Sequence, residues 1–486
     1  MAFSYFLFVA VSFTAKSITQ FTVNIVAIRS SLRDAATMPL TRRDFCIAAL
    51  LTAGCQSVGK INHGTLIPDP EDILDLPEGF SYQIIGRAME RMSDGLRAPA
   101  RPDGMAAFAR PDGNWTLVRN HENLASQNAY SAFGDQLENL HRVSRELFYD
   151  YGQGQMPGTG GTTTLVLEPE SGRVISSHLS LAGTELNCAG GPTPWGSWLS
   201  CEECFDDNLL QKTGHFPREQ THGFVFEVDP LANSLQAPRK LPALGKFVHE
   251  AAAIDPRNGA VYLTEDRRDG LIYRLLPTRP GDIAQGGRFQ ALALSNSERT
   301  DTANRELDSK LQPDHWYSVH WIDLPGQDSS NDDLRLRGRE LGAARFVRGE
   351  GIWFDQGELF FSCTEGGPAH LGQIFHYQSD RDSLNSQSPT GRLRLLVEST
   401  ADSVLHHADN LCVSPTGSLI VCEDRDSGCG LVLVTTKGEV WRFAQHRKTN
   451  SELAGACFSP DGKTLFVNIQ KPGLTLAIKG PFAAVL

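Results

Sequence analysis

Hydrophobic positions along this chain fall into short runs, and the runs come in pairs. In each pair a first apolar run meets a Gly-containing turn, and a second apolar run then ends on acidic or amide residues. The clearest copy starts at His249-Glu250, passes through AAAIDPRNG and AVYLT, and ends at Glu265-Asp266. Asp409-Asn410 to Glu423-Asp424 repeats it, as does Arg348-Gly349-Glu350 to Glu365. Weaker copies run from Asp103-Gly104 to Asn120-His121-Glu122, from Asn187-Cys188 to Glu202-Glu203, and through AGACFSPDG to Asn468. Short apolar runs around such a turn predict β-hairpins. A series of them predicts an all-β fold, a six-bladed β-propeller with loop and short helical insertions. In an antiparallel hairpin the start of the first strand and the end of the second lie together. Each blade therefore delivers its polar residues to one mouth of the central channel.

The remaining patterns fill in the blades. TTTLVLEPESGRVISSHLSL reads as an outer hairpin, GFVFEVDP and LIYRLLP as third strands, and LTLAI as a strand after the last hairpin. A short helix is expected near RVSRELFYDY. The polar stretch from Thr278 to Ala344 reads as solvated loops around outer strands such as WYSVHWIDL rather than as a lid. Trp195, Trp198 and Trp353 are expected to pack between blades.

The N-terminal region reads as an address. Thr41-Arg42-Arg43-Asp44-Phe45 precedes an apolar stretch and Cys55, as in a twin-arginine export signal. The expected organisation is an upstream extension at 1–37, with Met38 as the expected start of translation, then the signal at 38–55 and a catalytic propeller at 66–486. The export machinery is then a partner and the destination periplasmic or extracellular. Cys55 leaves a lipid anchor open as the one route to the membrane.

Composition narrows the class. The 486 residues carry a net charge of −12, which excludes nucleic acid as the main partner because a phosphate backbone demands a basic surface. The chain is read as a monomer. Cys363, Cys412, Cys422 and Cys457 sit in strand-like runs and read as small buried hydrophobes, and Cys201-Glu-Glu-Cys204 lacks the second C-x-x-C of a zinc ribbon.

The chemistry gathers at the mouth. The side chains expected there are Asn120, Glu122, Cys188, Glu202, Glu203, Glu250, Glu265, Asp266, Glu350, Glu365, Asp409, Asn410, Glu423 and Asp424. Two unit charges ~5 Å apart repel by roughly 3 kcal/mol at an effective dielectric of 20, so bound cations best explain so many acids. Oxygen donors suit Ca²⁺, Mg²⁺ or Mn²⁺, and a thiolate from Cys188 adds affinity for a softer transition metal. Strand-end acids that merely guard sheet edges are the simpler alternative, weakened by their recurrence at similar spacing. Arg348, two residues before Glu350, suits a tetrahedral anion, with an interblade salt bridge as its competitor. His121, His249 and His406/His407 are expected to orient other groups rather than to bind metal.

RNHE at 119–122, NCAGGPTPWGSWLSCEE at 187–203, HEAAAID at 249–255, TEDR at 264–267, ADNL at 408–411 and CEDR at 422–425 together resemble the PhoX-type alkaline phosphatases. The resemblance runs from about Leu66 to Pro472. It implies an exported enzyme that hydrolyses phosphate monoesters with Ca²⁺ and Fe³⁺ as cofactors. By the same resemblance Cys188 is an iron ligand, and Glu202, Glu250, Glu265 and Asp266 share the iron and calcium. Glu350, Asn410 and Glu423 complete that cluster, and Asn120 and Arg348 hold the phosphate. A calcium-dependent lactonase or esterase, and a non-catalytic propeller stabilised by metal, remain the alternatives.

Overall fold

Six innermost strands form a closed ring, each packed on the next and the last on the first: Pro102–Ala109, Asn187–Pro192, His249–Ile254, Gly349–Asp355, Ala408–Val413 and Leu453–Phe458. Each opens one blade. Blade one continues outward through Trp115–His121, Gly161–Leu167 and Val174–Ala182. Blade two adds Trp198–Glu202, Val225–Val228 and Arg239–Lys240. Blade three adds Val261–Glu265, Ile272–Pro277 and Gly287–Leu294, and blade four adds Glu358–Cys363, Gln373–Ser379 and Thr390–Glu398. Blade five adds Leu419–Glu423, Gly430–Val434 and Val440–His446, edged by Leu74–Pro77 and Leu66–Ile67.

Blade six holds Thr464–Ile469 and Leu474–Lys479, and its outer strand is Ser81–Arg87 from the start of the fold, with Leu476 opposite Ile84 and Lys479 opposite Ser81. The two ends of the sequence thereby close the ring. This computed structural model describes residues 65–206, 218–295, 300–305, 311–380 and 390–485, all within the unit Lys60–Leu486. The export signal, the upstream extension, Cys46 and Cys55 lie outside the described residues.

The strands make five hydrogen-bonded sheets where six separate ones were expected. The difference is Tyr317–Asp323, which pairs with Gly287–Leu294 on one side and Thr390–Glu398 on the other. It joins blades three and four into one nine-stranded sheet. The core lies between blades. Leu199, Val225, Val261, Leu263 and Tyr273 interlock blades two and three, while Ile420, Leu431, Phe443, Leu465 and Leu476 do so for blades five and six. Each such side chain contributes roughly 1.5–3 kcal/mol on burial.

Several expectations change in detail. The short helix expected near RVSRELFYDY takes the form of two 3₁₀ turns, Leu140–Arg142 and Arg145–Leu147. The polar stretch before Ala344 includes an α-helix, Leu334–Glu340, whose Arg335 is 2.6 Å from Asp332 and 2.9 Å from Asp269. That part is docked on blade three, not merely solvated. Trp195 stays at the surface, 38% exposed, donating to Glu227, whereas Trp198 is buried. The eight cysteines from Cys188 onward are free and buried. Among the described residues no helix is long and apolar enough to cross a membrane.

Candidate active site

The same irregularity opens every blade. In blade one Pro102 faces His121 and Met105 faces Arg119, so three steps along the first strand match two along the second. The extra residue is a β-bulge, which turns the strand and re-aims a side chain. It recurs between Asn187 and Gly190, His249 and Ala252, Gly349 and Ile352, Ala408 and Leu411, and Ala454 and Cys457. The first bulge residue of the six blades is in turn Asp103, Cys188, Glu250, Glu350, Asp409 and Gly455. Four carboxyls and a thiol therefore share one level of the channel.

Small residues follow them. A Cβ on Gly104 would come within 2.6 Å of the Ala189 backbone, and one on Gly351 within 2.6 Å of Leu411 N. The strands approach too closely there for larger side chains. A shallow cavity beneath the carboxyls is lined by Gly104, Ala189, Ala251, Gly351, Asn410 and Ala456.

Each bulge is tied to its neighbour. Asn468 Nδ2 donates to Asp103 O at 2.6 Å, Thr264 Oγ1 to Glu350 O at 2.6 Å, and Ser362 Oγ to Asp409 O at 2.6 Å. Asn120 performs the same task for blade two, with Nδ2 3.2 Å from Cys188 O and 2.7 Å from Ala189 O. Its Oδ1 accepts from Trp198 and Ser200, so the fully buried amide is committed within the fold. Asn120, expected at the substrate, instead positions the Cys188 bulge. Asn410 Oδ1 likewise accepts from Gly455 N at 2.7 Å and its amide reaches Asp409.

The second strands supply the other half of the site, and the parity of a strand decides which acids take part. Successive residues point to opposite sides. Glu122, Glu203, Asp266 and Asp424 face the first set. Charge repulsion links them directly: Glu122 acts on Asp103, Glu203 on Glu250, Asp266 on Glu350, and Asp424 on Asp409. Thr364 holds the corresponding place in blade four and donates to Ala408 O, and Glu365 turns to Arg268.

Glu202, Glu265 and Glu423 point the other way. These three were expected as metal ligands; here each is engaged within its own blade, and Glu202 forms with Cys204 and His222 a separate group of possible metal donors. Glu202 is 2.7 Å from His222 Nδ1 and accepts from Gly223 N and Phe224 N. Glu265 accepts from Tyr273 OH at 2.7 Å and lies 3.9 Å from Arg335. Glu423 is paired with Arg442 and accepts from His406 N and Gly430 N. Each is fully buried and has a cation of its own. His121 and His249 also serve the fold, bonding to Ala100 O and Gly245 O.

Two ligand candidates escaped the sequence reading. Asp103 sits in a Pro-Asp-Gly that reads as a turn, and Glu452 precedes the weakest repeat. Asp103, Glu122 and Glu452 bring carboxylate oxygens within 4.8 Å of one another, as do Glu250, Glu350 and Asp409. Cys188 Sγ forms a third group with Glu203 and Glu250 at the same spacing.

Electrostatics then mark the site. Nine carboxyls interact: Asp103, Glu122, Glu203, Glu250, Asp266, Glu350, Asp409, Asp424 and Glu452. Burial first, then mutual repulsion, pushes Asp103, Glu203, Glu250, Glu350, Asp409 and Glu452 well above the usual carboxylate range. The Cys188 thiol is pushed up by burial and then by Glu250 and Glu203. The opposing charges are Arg348 beside Glu350 and Lys471 beside Glu452. Arg348 is 2.8 Å from both Asp266 oxygens and 3.1 Å from Glu350, with its side chain 29% exposed. A ring this short of positive charge has the donor set and the charge of a multi-cation site. Carboxylates fit hard cations such as Ca²⁺, and the thiol with its two carboxylate neighbours fits a softer transition metal.

Just before the bulge the backbone is strained. In the first five blades the residue after the second strand donates its N–H to Arg101, Leu186, Val248, Arg348 and His407, which fixes these as equivalent positions. Four of them are left-handed: Arg101 at φ 47°, Leu186 at 45°, Arg348 at 52° and His407 at 50°. Left-handed non-glycine residues cost of order 1–3 kcal/mol and cluster where function holds them.

Comparisons with known proteins agree with the propeller fold. The family model described as alkaline phosphatase PhoX matches residues 61–473. Among solved structures, Pseudomonas fluorescens PhoX in complex with vanadate, described as a transition state analogue, superposes with a TM-score of 0.67 at 19% identity, covering 87% of this chain and 98% of that one. A gluconolactonase from Xanthomonas campestris reaches only 0.35 at 14% identity over 86% of this chain and 98% of its own, too remote to bear on function. No curated protein matched. With 61–473 of its 486 residues covered by that model, the chain belongs to the PhoX alkaline phosphatase family.

Proposed function

We propose that this protein is an exported phosphatase that hydrolyses phosphate monoesters at calcium and ferric ions held in the carboxylate ring. The observation that carries the reading is the ring itself: nine interacting carboxyls and a thiol opposed by Arg348 and Lys471. Cys188, Glu203 and Glu250 would hold iron. Glu250, Glu350 and Asp409, and Asp103 with Glu122 and Glu452, would hold calcium. When bound, such cations neutralise phosphoryl oxygens and lower the pKa of a water.

The chain's own residues do the rest. Arg348, paired with Asp266 and Glu350 but still part-exposed, would bind an equatorial phosphoryl oxygen. The interblade bonds from Asn120, Thr264, Ser362 and Asn468 hold the bulges rigid, so the ligands need little reorganisation as charge develops. The description of vanadate bound to the Pseudomonas relative as a transition state analogue supports phosphoryl chemistry here too. The twin-arginine stretch supports export of the folded protein, with Cys55 as a lipid site. A calcium lactonase, or a propeller with structural ions alone, would leave the thiol in the ring without a role.

The test is hydrolysis of p-nitrophenyl phosphate by protein folded with iron and calcium, with metals assayed on the same sample. Turnover that a chelator abolishes and added metal restores is the expected result. Stoichiometric iron and calcium without turnover of any phosphate monoester would overturn the activity. Absence of iron would overturn the cofactor assignment.

A further inference from the structure

The position that carries Arg348 in blade four carries Arg101 in blade one. In the ring order these two blades stand opposite one another. Both arginines are left-handed, at φ 52° and 47°, and each precedes by two residues the bulge acid of its own blade, Glu350 or Asp103. The backbone of blade one is pinned there from several sides. Ala100 O accepts from His121 Nδ1 and Asn123 Nδ2, and Glu122 N donates to Arg101 O. The strained turn is therefore fixed by its surroundings.

The two arginines differ in what they touch. Arg348 is within 4 Å of Asp266, Glu350 and Glu365. Arg101, although set at the edge of an acidic ring, makes no ion pair among the described residues. Its guanidinium gives one long bond, 3.4 Å, to the carbonyl of Glu122. Arg101 is half-buried as a residue, and a guanidinium with unused donors is a ready site for an anionic oxygen.

We propose that Arg101 is a specificity-determining residue, reading a second anionic group on the substrate. The reading rests on the proposed phosphatase function and names its substrate class: phosphate monoesters whose alcohol portion bears a carboxylate or a second phosphate. The phosphoryl group lies over the ring near Arg348. The leaving group extends across the mouth, and its anionic end meets Arg101.

The test uses two phosphonates that are not hydrolysed, propylphosphonate and 3-phosphonopropionate, which differ in a terminal methyl against a carboxylate. Their binding to full-length, iron- and calcium-loaded protein is measured by calorimetry. Wild type is expected to favour 3-phosphonopropionate, and Arg101→Gln to lose about tenfold of that preference, the worth of one charge-assisted hydrogen bond. Arg101→Gly, which accepts the left-handed backbone without strain, should lose the same preference, and Arg101→Lys should restore part of it. Absence of preference in wild type, or a preference that survives both Arg101→Gln and Arg101→Gly, would overturn the proposal. Preference in wild type without p-nitrophenyl phosphate turnover would leave Arg101 as an anion reader and remove the phosphatase reading alone.

Discussion

Glu202 and Glu203 are neighbours on one strand and live in different electrostatic worlds. Glu202 points into its blade, where His222 and three backbone N–H groups meet it. Glu203 points to the channel, where Asp266, Glu122 and Glu350 oppose it. The same split separates Glu265 from Asp266 and Glu423 from Asp424. The acids turned into the blades each have a part-buried cation, Arg335 for Glu265 and Arg442 for Glu423. Among the described residues the nine channel carboxyls are opposed chiefly by Arg348 and Lys471. Burial of a charge is tolerable when it is paired and costly when it is not. The contrast therefore separates acids whose charge the propeller itself compensates from the acids proposed to bind metal.

Breaking the channel set should show its largest effect in catalysis. Glu250 belongs to two of the ligand groups. Glu250→Gln is expected to lower kcat about 10²–10³-fold, the scale of losing one preorganised electrostatic stabiliser, and to reduce bound metal. It should also raise the melting temperature of metal-free protein, because a repelling carboxyl is gone. A fall in that melting temperature would place Glu250 with the structural acids.

The inward set should answer in stability. Arg442→Ala leaves Glu423 with only the more distant Arg425, 3.7 Å away, and is expected to cost up to about 3–5 kcal/mol by denaturant unfolding, with metal content per folded molecule unchanged. Loss of metal ahead of unfolding would return Glu423 to the ligand set.

A smaller effect depends on pH. Burial alone would lower the pKa of His222, but Glu202 and Asp150 raise it to about 10. A histidine raised in the folded state contributes stability that is fully present below its ordinary value near 6.5 and is lost as pH rises towards 10. Denaturant midpoints should therefore fall between pH 7 and 10 by an amount that His222→Gln largely removes. A wild-type midpoint as flat as that of the variant would contradict the charged His222.

Much of the fold was legible because a hairpin is local: apolar runs and a glycine turn announce both strands. The closing strand Ser81–Arg87 was not, since its partner Leu474–Lys479 lies at the far end of the chain. The fusion of blades three and four through Tyr317–Asp323 has no local signature either. The site was legible as a set of acidic strand ends. What the sequence could not resolve was parity. Glu-Glu at 202–203 and Glu-Asp at 265–266 and 423–424 look equivalent until the register of the bulge tells which member faces the channel. The engagement of Asn120 was hidden for a different reason, since only the neighbouring blade reveals that its amide holds the Cys188 carbonyl. Asp103 would have been found by aligning all six first strands at their bulges, whereas Glu452 sits outside that alignment and enters because blade six pairs one residue further, Leu453 with Ile469.

The central claim is that metal sits in the channel set, with the thiol marking iron. Anomalous diffraction at the iron edge, on crystals of protein folded with iron and calcium, tests it most directly. The account predicts an iron peak at bonding distance from Cys188 Sγ and shared with Glu203 and Glu250. An iron peak among Glu202, Cys204 and His222, or a ring without metal in fully active protein, would contradict it.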